Sequence, residues 1–464
     1  MQEEPTAYRI EDPGVRALFT ESARFQSWLD VEVALAQSQA ELGVIPRHAA
    51  EEITRKAKLD NLDLDNIRSG LARTGHSLVP VIWELDRVCE GDAGGYIHWG
   101  ATTQNITQTG QLLRVRQAHA IFLAQLRVLL ETLADLAERS KDMLLPGRTH
   151  GQHAVPATFG FKVAIWIDEF CRHIERLREC EKRVFVTMLG GGAGTSASLG
   201  ELGPATQEKM AQHLGMASMP VAARTIGDHL TEYVTLLGLI AATSSKVGRE
   251  IYTLMKQEFG EVEEPVPAGT VGSSTMPQKR NPKLAQDIVA FAAQLRALVP
   301  LALEAMQTEH EADRTTSVMF NHALSEACVL TGDILQRLVV IFQGLQLFPE
   351  RMRRNLDLSG GLIMAEALML DLGRHIGRQR AHDVVYEAAQ AASTGGQSFE
   401  DLLALDARVM THFTPQQVTE LLDPAKYTGL CRQIAEQGAA RARDVAGSLA
   451  SVKGVANIYA SPEV

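Results

Sequence analysis

The sequence predicts an all-α fold whose centre is a bundle of long helices. Aromatic residues make up only 5% of the 464 residues, and leucine and alanine recur in long stretches, which favours helices over sheets. Apolar residues at spacings of three and four continue from Leu230 to Met255, as on the buried face of one long helix. No strands alternate with crossover helices, so the pattern disfavours a doubly wound sheet.

The same apolar spacing predicts four further long helices. One covers about 112–137 without proline or glycine, and another follows Pro282 and ends near Met306. The remaining two cover about 158–187 and 323–346. Helices of this length pack as near-antiparallel neighbours, so we expect them to form one bundle.

Shifts in composition divide the chain into three expected domains. Residues 1–100 contain shorter helices broken by prolines, residues 101–355 contain the long helices, and residues 356–464 return to short helices. Two loops interrupt the central segment, a glycine-rich one at 189–200 and a longer one at 259–282. Structureless loops as long as the second are usually functional or disordered.

Charge and cysteine content restrict the partners and the compartment. The formal net charge of -11 disfavours nonspecific binding to nucleic acid or to an anionic membrane. The five cysteines contain no CxxC pair, so we expect a reducing compartment and no thiolate metal site. The first residues lack a signal-peptide pattern, and no uninterrupted apolar run approaches the ~18 residues that span a bilayer. These features predict a cytoplasmic protein.

The loop segment GSSTMPQKRNP at 272–282 concentrates polar groups that suit a small dianion. Backbone N–H groups and hydroxyls can bind one carboxylate, while Lys279 and Asn281 bind another. The alternative is an ordinary polar loop that ends where a helix begins after Pro282.

Two further segments carry polar clusters beside predicted helices. GRTHGQH at 147–153 contains His150, which could exchange a proton near neutral pH, although a helix-capping cluster explains it as well. Together, His150 and His153 lack HExxH spacing and nearby cysteine ligands, so we expect no metal. IHWGATTQN at 97–105 places hydroxyls at a helix start, where an anion or simple capping fits.

Known cofactor and nucleophile motifs are missing. Gly192–Ala197 fits a loose GxGxxA pattern, but the strand–helix–strand unit of a dinucleotide site is absent around it. The sequence also has no phosphate-binding GxxxxGK[ST] loop and no GxSxG elbow. Phosphoryl transfer and Ser-His-Asp hydrolysis are therefore disfavoured.

Together these segments resemble the aspartase/fumarase superfamily, and within it the branch of adenylosuccinate lyase and 3-carboxy-cis,cis-muconate cycloisomerase. Residues 272–282 match the signature loop of the superfamily. The resemblance begins at residues 24–46 and covers nearly the whole chain. The other matches are TGHS at 74–77, HWGATTQN at 98–105, GRTHGQHA at 147–154, the glycine-rich turn at 190–195 and EHEAD at 309–313.

The resemblance implies a three-domain helical subunit that assembles into a homotetramer through its central helices. Each active site would then be built from loops of three subunits. The implied reaction is anti elimination across a succinyl unit of a small dicarboxylate, which releases fumarate without metal or organic cofactor.

The resemblance also implies roles for individual residues. Ser273 matches the general base, and His150 matches the general acid that protonates the departing nitrogen. An ordinary serine is a weak acid, so its oxygen must lie among backbone N–H groups and near Lys279. By motif position, substrate binding is expected from Thr102, Thr103, Thr149, Gln152, Lys279, Asn281, His76, His98 and Ser274, while Glu311 is expected to hold a site histidine in its working tautomer.

Departures from the adenylosuccinate lyase pattern point to a different substrate. Gln278 and Asn105 replace a histidine and an aspartate, and Ala312 replaces an arginine. The serine, glutamate and arginine that hold a nucleotide phosphate are replaced within Ser317–Asn321. We therefore expect a carbon–nitrogen lyase acting on another N-substituted aspartate, such as an aminopolycarboxylate. The alternatives are 3-carboxy-cis,cis-muconate cycloisomerase, adenylosuccinate lyase itself and a catalytically silent helical scaffold.

Overall fold

The chain folds almost entirely into α-helices. The structure, a computed structural model, describes residues 5–267 and 269–450. Among these residues the strands form only two-stranded pairs at the ends of helices. The all-α prediction is therefore confirmed.

The N-terminal segment contains α1 (Glu21–Glu41), α2 (Arg47–Lys56), α3 (Leu64–Thr74) and α4 (Val79–Val88). The Thr20 hydroxyl caps α1 by accepting a hydrogen bond from the Ala23 N–H at 3.3 Å. Apolar side chains from all these helices, Phe25 among them, are buried in one cluster. This cluster fixes the turn that leads into the first long helix.

The central segment contains the long helices that the apolar spacing predicts. They are α5 (Thr103–Arg139), α6 (Phe159–Val184), α8 (Asp228–Leu254), α9 (Lys283–Glu304) and α10 (Arg314–Gly344), with the shorter α7 (Leu202–Leu214) between α6 and α8. Two of them begin earlier than predicted because polar side chains cap their first turns. Thr102 and Asn105 form a capping box at α5, and Asp313 accepts the Thr315 N–H at α10.

Short strand pairs at the helix ends are a finding that the sequence did not predict. β1 (Leu144–Thr149) and β2 (Gln152–Thr158) form an antiparallel hairpin between α5 and α6. β3 (Val186–Thr187) pairs in parallel with β4 (Ala217–Ser218), and β5 (Val262–Glu263) pairs with β6 (Gln346–Leu347). Each pair ties a connecting segment to the bundle.

The C-terminal segment contains short helices and one long helix that returns to the bundle. The helices are α11 (Pro349–Asp357), α12 (Ala365–Ile376), α13 (Arg378–Gly395), α14 (Phe399–Leu405), α15 (Ala407–Met410), α16 (Pro415–Leu421) and α17 (Cys431–Ala450). Helix α17 packs against α5 and α6, and its Ala439, Ala442 and Ala446 are buried in the central core. The division into domains at residues 100 and 355 stays a prediction.

Helix α9 is the one described helix that is long and apolar enough, by length and composition, to cross a membrane. Only 22% of its most apolar window is buried within the chain. Asp287 places a carboxylate within this helix and accepts a hydrogen bond from Arg337 of α10 at 3.2 Å. A partly exposed apolar helix that also packs against α8 and α10 is equally typical of a surface covered by another subunit. The cytoplasmic location stays a prediction.

The bundle has two ends, which we call the head and the foot. Helices α5, α8 and α10 begin at the head, where Arg224 donates to Gln104 of α5 at 3.1 Å. They end at the foot, where Arg139 donates to the Leu345 carbonyl at 3.4 Å. An α-helix rises about 1.5 Å per residue, so the 27 residues of α8 separate head from foot by about 40 Å.

Candidate active site

The loop at 259–282 lies at the foot, and a buried carboxyl group fixes both of its ends. Glu264, at the start of the loop, accepts the N–H groups of Leu284 and Ala285 at 3.0 and 3.1 Å. These contacts cap α9 at the far end of the loop. Burial raises the pKa of Glu264 to about 7. Residues 264 and 284 are therefore held together, and this contact fixes the base of the loop.

Close backbone contact across the loop defines the position of its serines. The Asn281 side chain donates to the Gly272 carbonyl at 2.8 Å, and Lys283 donates to the Val271 carbonyl at 3.0 Å. A Cβ atom at Gly272 would lie 2.0 Å from the Lys279 carbonyl oxygen, so only glycine fits there. Ser273 therefore lies where the two sides of the loop are in contact.

The Ser273 oxygen accepts two backbone hydrogen bonds. Its Oγ lies 3.3 Å from the Thr275 nitrogen and 3.1 Å from the Met276 nitrogen. Such donors stabilise negative charge on the oxygen, as the sequence argument for a serine base requires. Lys279 is exposed, and its side-chain ammonium forms no hydrogen bond or ion pair with any described residue, Ser273 included.

His150 lies at the tip of the β1–β2 hairpin, also at the foot. His150 and Gly151 have φ values of +53° and +75°, as in a two-residue turn that reverses an antiparallel pair. Thr149, His150 and Gln152 are exposed at this tip. The turn therefore presents the histidine to solvent with its hydroxyl and amide neighbours beside it.

A buried ion pair joins this hairpin to the base of the loop. The Arg148 guanidinium contacts both carboxylate oxygens of Glu261, at 3.1 and 2.5 Å, and Glu261 is fully buried. Asn355 of α11 donates to the same carboxylate at 2.8 Å. Burial, and then the positive charge of Arg148, lower the pKa of His153, which favours its neutral form. Hairpin, loop and α11 thus form one unit.

At the head, the fold fixes the tautomer of His76. Its Nδ1 accepts the N–H groups of Leu78 and Val79 at 3.3 and 3.2 Å at the start of α4. The proton of the neutral ring is consequently on Nε2, which lies 3.4 Å from the Thr103 hydroxyl. This contact brings together two of the residues that the resemblance assigns to substrate binding.

His98 is held by a carboxylate from another helix. Glu32 of α1 is 3% exposed, and its oxygens lie 2.7 Å from His98 Nδ1 and 3.1 Å from the His98 backbone nitrogen. The neutral ring therefore donates from Nδ1 and leaves Nε2 as an acceptor. His98 has a φ of +61°, which is costly for a residue other than glycine.

The start of α5 packs against the glycine-rich turn at 189–200. Asn105 is fully buried, and its oxygen accepts the Thr102 N–H at 3.0 Å and the Gly191 N–H at 3.2 Å. The Ser198 hydroxyl donates to the Gly100 carbonyl at 2.8 Å. These contacts position Thr102 and Thr103 at the first turn of the helix, where backbone N–H groups favour an anion.

Backbone strain is concentrated in the motif segments. Four non-glycine residues of the described chain have positive φ, and three of them are His98, His150 and His310. Each lies in a segment that the sequence analysis selected. Residues held in such conformations cluster at functional sites because the surrounding structure must compensate for their cost.

The predicted site residues fall into two groups at opposite ends of the chain's bundle. Glu311, in the turn between α9 and α10 at the head, is exposed and forms no hydrogen bond with a histidine of the described chain. Its orienting role stays a prediction. The head group comprises His76, His98, Thr102 and Thr103, and the foot group comprises Thr149, His150, Gln152, Ser273, Ser274, Lys279 and Asn281.

Sequence reasoning missed the carboxylates that hold these groups in place. Glu32 has one available signal, since it lies on a helix face that is otherwise apolar, between Trp28 and Leu35. Glu261 and Glu264 show no such pattern within their loop. Within the described ranges no cluster of three or more His, Cys, Asp or Glu side chains is placed to hold a metal ion.

Two family models match this chain. A family model described as lyase matches residues 6–296, and one described as adenylosuccinate lyase C-terminus matches residues 361–437. The chain is 39% identical to an N-acetyl-S-(2-succino)cysteine lyase of Dickeya dadantii (strain 3937), over 91% of this chain and 92% of that protein. It is also 39% identical to an adenylosuccinate lyase of Methanothermobacter thermautotrophicus, over 93% and 97% of the two chains.

The fold is similar to that of a solved enzyme. The crystal structure of 3-carboxy-cis,cis-muconate lactonizing enzyme from Pseudomonas putida superposes with a TM-score of 0.88 at 32% identity. The match covers 97% of this chain and all of that one.

Replacing Glu32 by glutamine tests whether it positions His98. Glutamine has one acceptor oxygen in place of two and cannot bind the ring and the backbone nitrogen through separate oxygens, so kcat/KM of the lyase reaction should fall about 10- to 100-fold, as when a histidine loses its orienting partner. Glu84→Gln is the control, because Glu84 is equally buried and binds the Asp63 N–H and Arg87 away from the site. An equal loss of activity in both variants, measured alongside the melting temperature, would show that Glu32 acts on stability alone.

Proposed function

Because the chain belongs to the lyase family, in the adenylosuccinate lyase and 3-carboxy-cis,cis-muconate cycloisomerase branch of the aspartase/fumarase superfamily, we propose that it releases fumarate from a 2-substituted succinate. The substrate is an N-substituted aspartate, and the second product is an amine. The observation that carries the proposal is the Ser273 oxygen, which two backbone N–H groups contact within an anchored loop.

In this reaction Ser273 is the base. Its oxygen, in the alkoxide form, takes a proton from C3, the carbon that bears the distal carboxylate, and becomes a hydroxyl, while negative charge develops on that carboxylate. Lys279 carries an ammonium group without a partner in the described chain, and Asn281 lies in the same loop. Donors of this kind stabilise the dianionic intermediate, so that the bond between C2 and nitrogen can break.

The departing amine needs a proton, because an amide-like or alkyl nitrogen anion is a poor leaving group. His150 is proposed to supply it, since the hairpin turn exposes its ring beside Thr149 and Gln152. At the head, the His76 ring donates from Nε2 and the neutral His98 ring accepts at Nε2, because neighbouring groups bind the Nδ1 atom of each ring. These rings are proposed to bind and orient the substrate.

A complete site requires more than one chain. Head and foot residues are about 40 Å apart along α8, which is far longer than a succinyl unit. Helix α9 exposes apolar residues, with Leu303 52% exposed, and a neighbouring subunit would bury them. We therefore propose a homotetramer in which the head of one chain faces the foot of another.

The proposed substrate is smaller than a nucleotide. The stretch Ser317–Asn321 replaces the serine, glutamate and arginine that hold a phosphate in the adenylosuccinate lyase pattern. Without that arginine the phosphate clamp of the adenylosuccinate lyase pattern is incomplete. A non-nucleotide amine, such as that of an aminopolycarboxylate, is therefore the preferred leaving group.

A thiol is the second candidate for the leaving group. The observation in its favour is the 39% identity to the Dickeya protein, whose name describes a succinyl group on the sulfur of N-acetylcysteine. A thiolate leaves without prior protonation far more easily than an amine does, since thiol pKa values lie near 8.5. Loss of the acid in His150→Asn would thus impair amine release strongly and thiol release weakly.

Ser273→Ala tests the proposed base. With N-substituted aspartates, fumarate release followed by its ultraviolet absorbance should fall about 10²- to 10⁴-fold, the usual contribution of a positioned base. Assembly measured by light scattering should be unchanged. Ser393→Ala, an exposed serine on α13, is the control and should retain full activity. Turnover of Ser273→Ala at the wild-type rate would show that Ser273 is not the base. Dissociation of the assembly would show that the serine has a structural role.

Mixing two inactive variants tests whether the site is shared between chains. Co-assembled Ser273→Ala and His76→Ala chains should regain activity at up to about one quarter of the sites, because random mixing pairs intact heads with intact feet. Ser273→Ala mixed with Lys279→Ala is the control, since both changes lie in one loop and leave no intact foot. Activity that stays at the level of this control would contradict shared sites.

A further inference from the structure

A polar cavity at the head lies beside the proposed substrate-binding groups and has no role in the scheme above. Its walls come from the first turns of α5, from the segment before α8 and from the start of α10. Arg224 is the only charged residue among the described residues that line it. The other polar lining residues are Gln104, Gln108, Gln111, Ser317 and Asn321, together with nearby threonines.

We propose that this cavity binds the leaving group and that Arg224 binds a carboxylate carried by it. The proposal rests on the proposed function and specifies its substrate class. The leaving group is then an amine or thiol that also bears a carboxylate, as an amino acid does. Its neutral polar groups would form hydrogen bonds with the glutamines that line the cavity. A leaving group without an acidic function would not use Arg224.

Arg224 is a positive charge held in place without a negative partner. Its Nε donates to the Gln104 oxygen at 3.1 Å, and an Nη donates to the Gly192 carbonyl at 2.6 Å. No carboxylate of the described chain forms an ion pair with it. Burial lowers the pKa of Arg224, which reflects the cost of a partly desolvated charge. An anionic ligand offsets that cost, and a guanidinium binds a carboxylate through paired hydrogen bonds.

A buried amide provides a second, independent indication of a ligand. Gln111 lines the cavity and is 4% exposed, yet its Nε2 atom has no hydrogen-bond partner in the described chain. Leaving such a donor unpaired is costly in a folded protein, because the group has lost its hydrogen bonds to water. A carbonyl or carboxylate oxygen of a bound molecule would satisfy it.

The fold adds positive potential around the same cavity. Helices α5, α8 and α10 all begin at its rim, and their amino ends favour anions. Asp228 and Asp313 lie at the starts of α8 and α10, but neither lines the cavity. Both oxygens of Asp313 are already bound by Thr315.

The cavity is contiguous with the head group of site residues. Gln104 directly follows Thr103, and it donates to the Arg224 carbonyl at 2.9 Å. Gly192, which accepts from Arg224, follows Gly191, which donates to Asn105 in the capping box of α5. A succinyl group held at Thr102 and Thr103 would therefore extend its substituent toward Arg224.

A matched pair of substrates tests the role of Arg224. The two compounds are N-(carboxymethyl)aspartate and N-(carbamoylmethyl)aspartate. They differ only in that the first carries a carboxylate where the second carries a neutral amide. Wild-type protein should prefer the acid, and Arg224→Gln should lower kcat/KM for the acid about 10- to 100-fold, mainly through KM, with at most a few-fold change for the amide. Arg116→Gln is the control, since Arg116 binds the Gly215 carbonyl and does not line the cavity.

An equal loss on both substrates, or no loss on either, would overturn the proposal. Binding of N-acetylglycine to wild-type and Arg224→Gln protein, followed by saturation-transfer NMR, separates this result from failure of the proposed function. If neither aspartate yields fumarate but N-acetylglycine binds only to the wild type, the cavity is an acid site and the lyase proposal fails. If N-acetylglycine binds neither protein or both equally, Arg224 is not the carboxylate site.

Discussion

The length of the central helices is the constraint on which the rest of the structure depends. Each chain holds chemically complementary groups at the two ends of a rigid bundle, about 40 Å apart along α8. The bundle core keeps that separation constant, because its helices bury large side chains such as Phe122 and Tyr233. One chain therefore contains every proposed site residue but cannot bring them to one substrate.

Buried carboxylates hold the connecting segments at the head and at the foot in fixed positions. At the foot, Glu261 joins hairpin, loop and α11, and Glu264 closes the loop onto α9. At the head, Glu32 fixes the ring of His98. A buried carboxyl group is costly unless it is hydrogen-bonded, and each of these groups accepts at least two bonds. The same arrangement leaves Arg224 conspicuous, because it is the cation of the head cavity that no carboxylate balances.

Local sequence patterns predicted the helices and the motif segments, but not the contacts that hold them together. Apolar spacing located α8 well, since a helix face depends on residues three and four apart. The hairpin at His150 was not predicted, because its turn depends on positive φ at two consecutive residues. The pairing of Glu32 with His98 spans 66 residues, so no local pattern encodes it. Likewise, only the fold shows which motifs lie at the head and which lie at the foot.

The most direct test of the account is a cryo-electron microscopy structure of the purified assembly with fumarate bound. The account predicts that each fumarate contacts Thr103 of one chain and both Lys279 and Asn281 of another. Fumarate enclosed by residues of a single chain, or an assembly in which no head faces a foot, would contradict it.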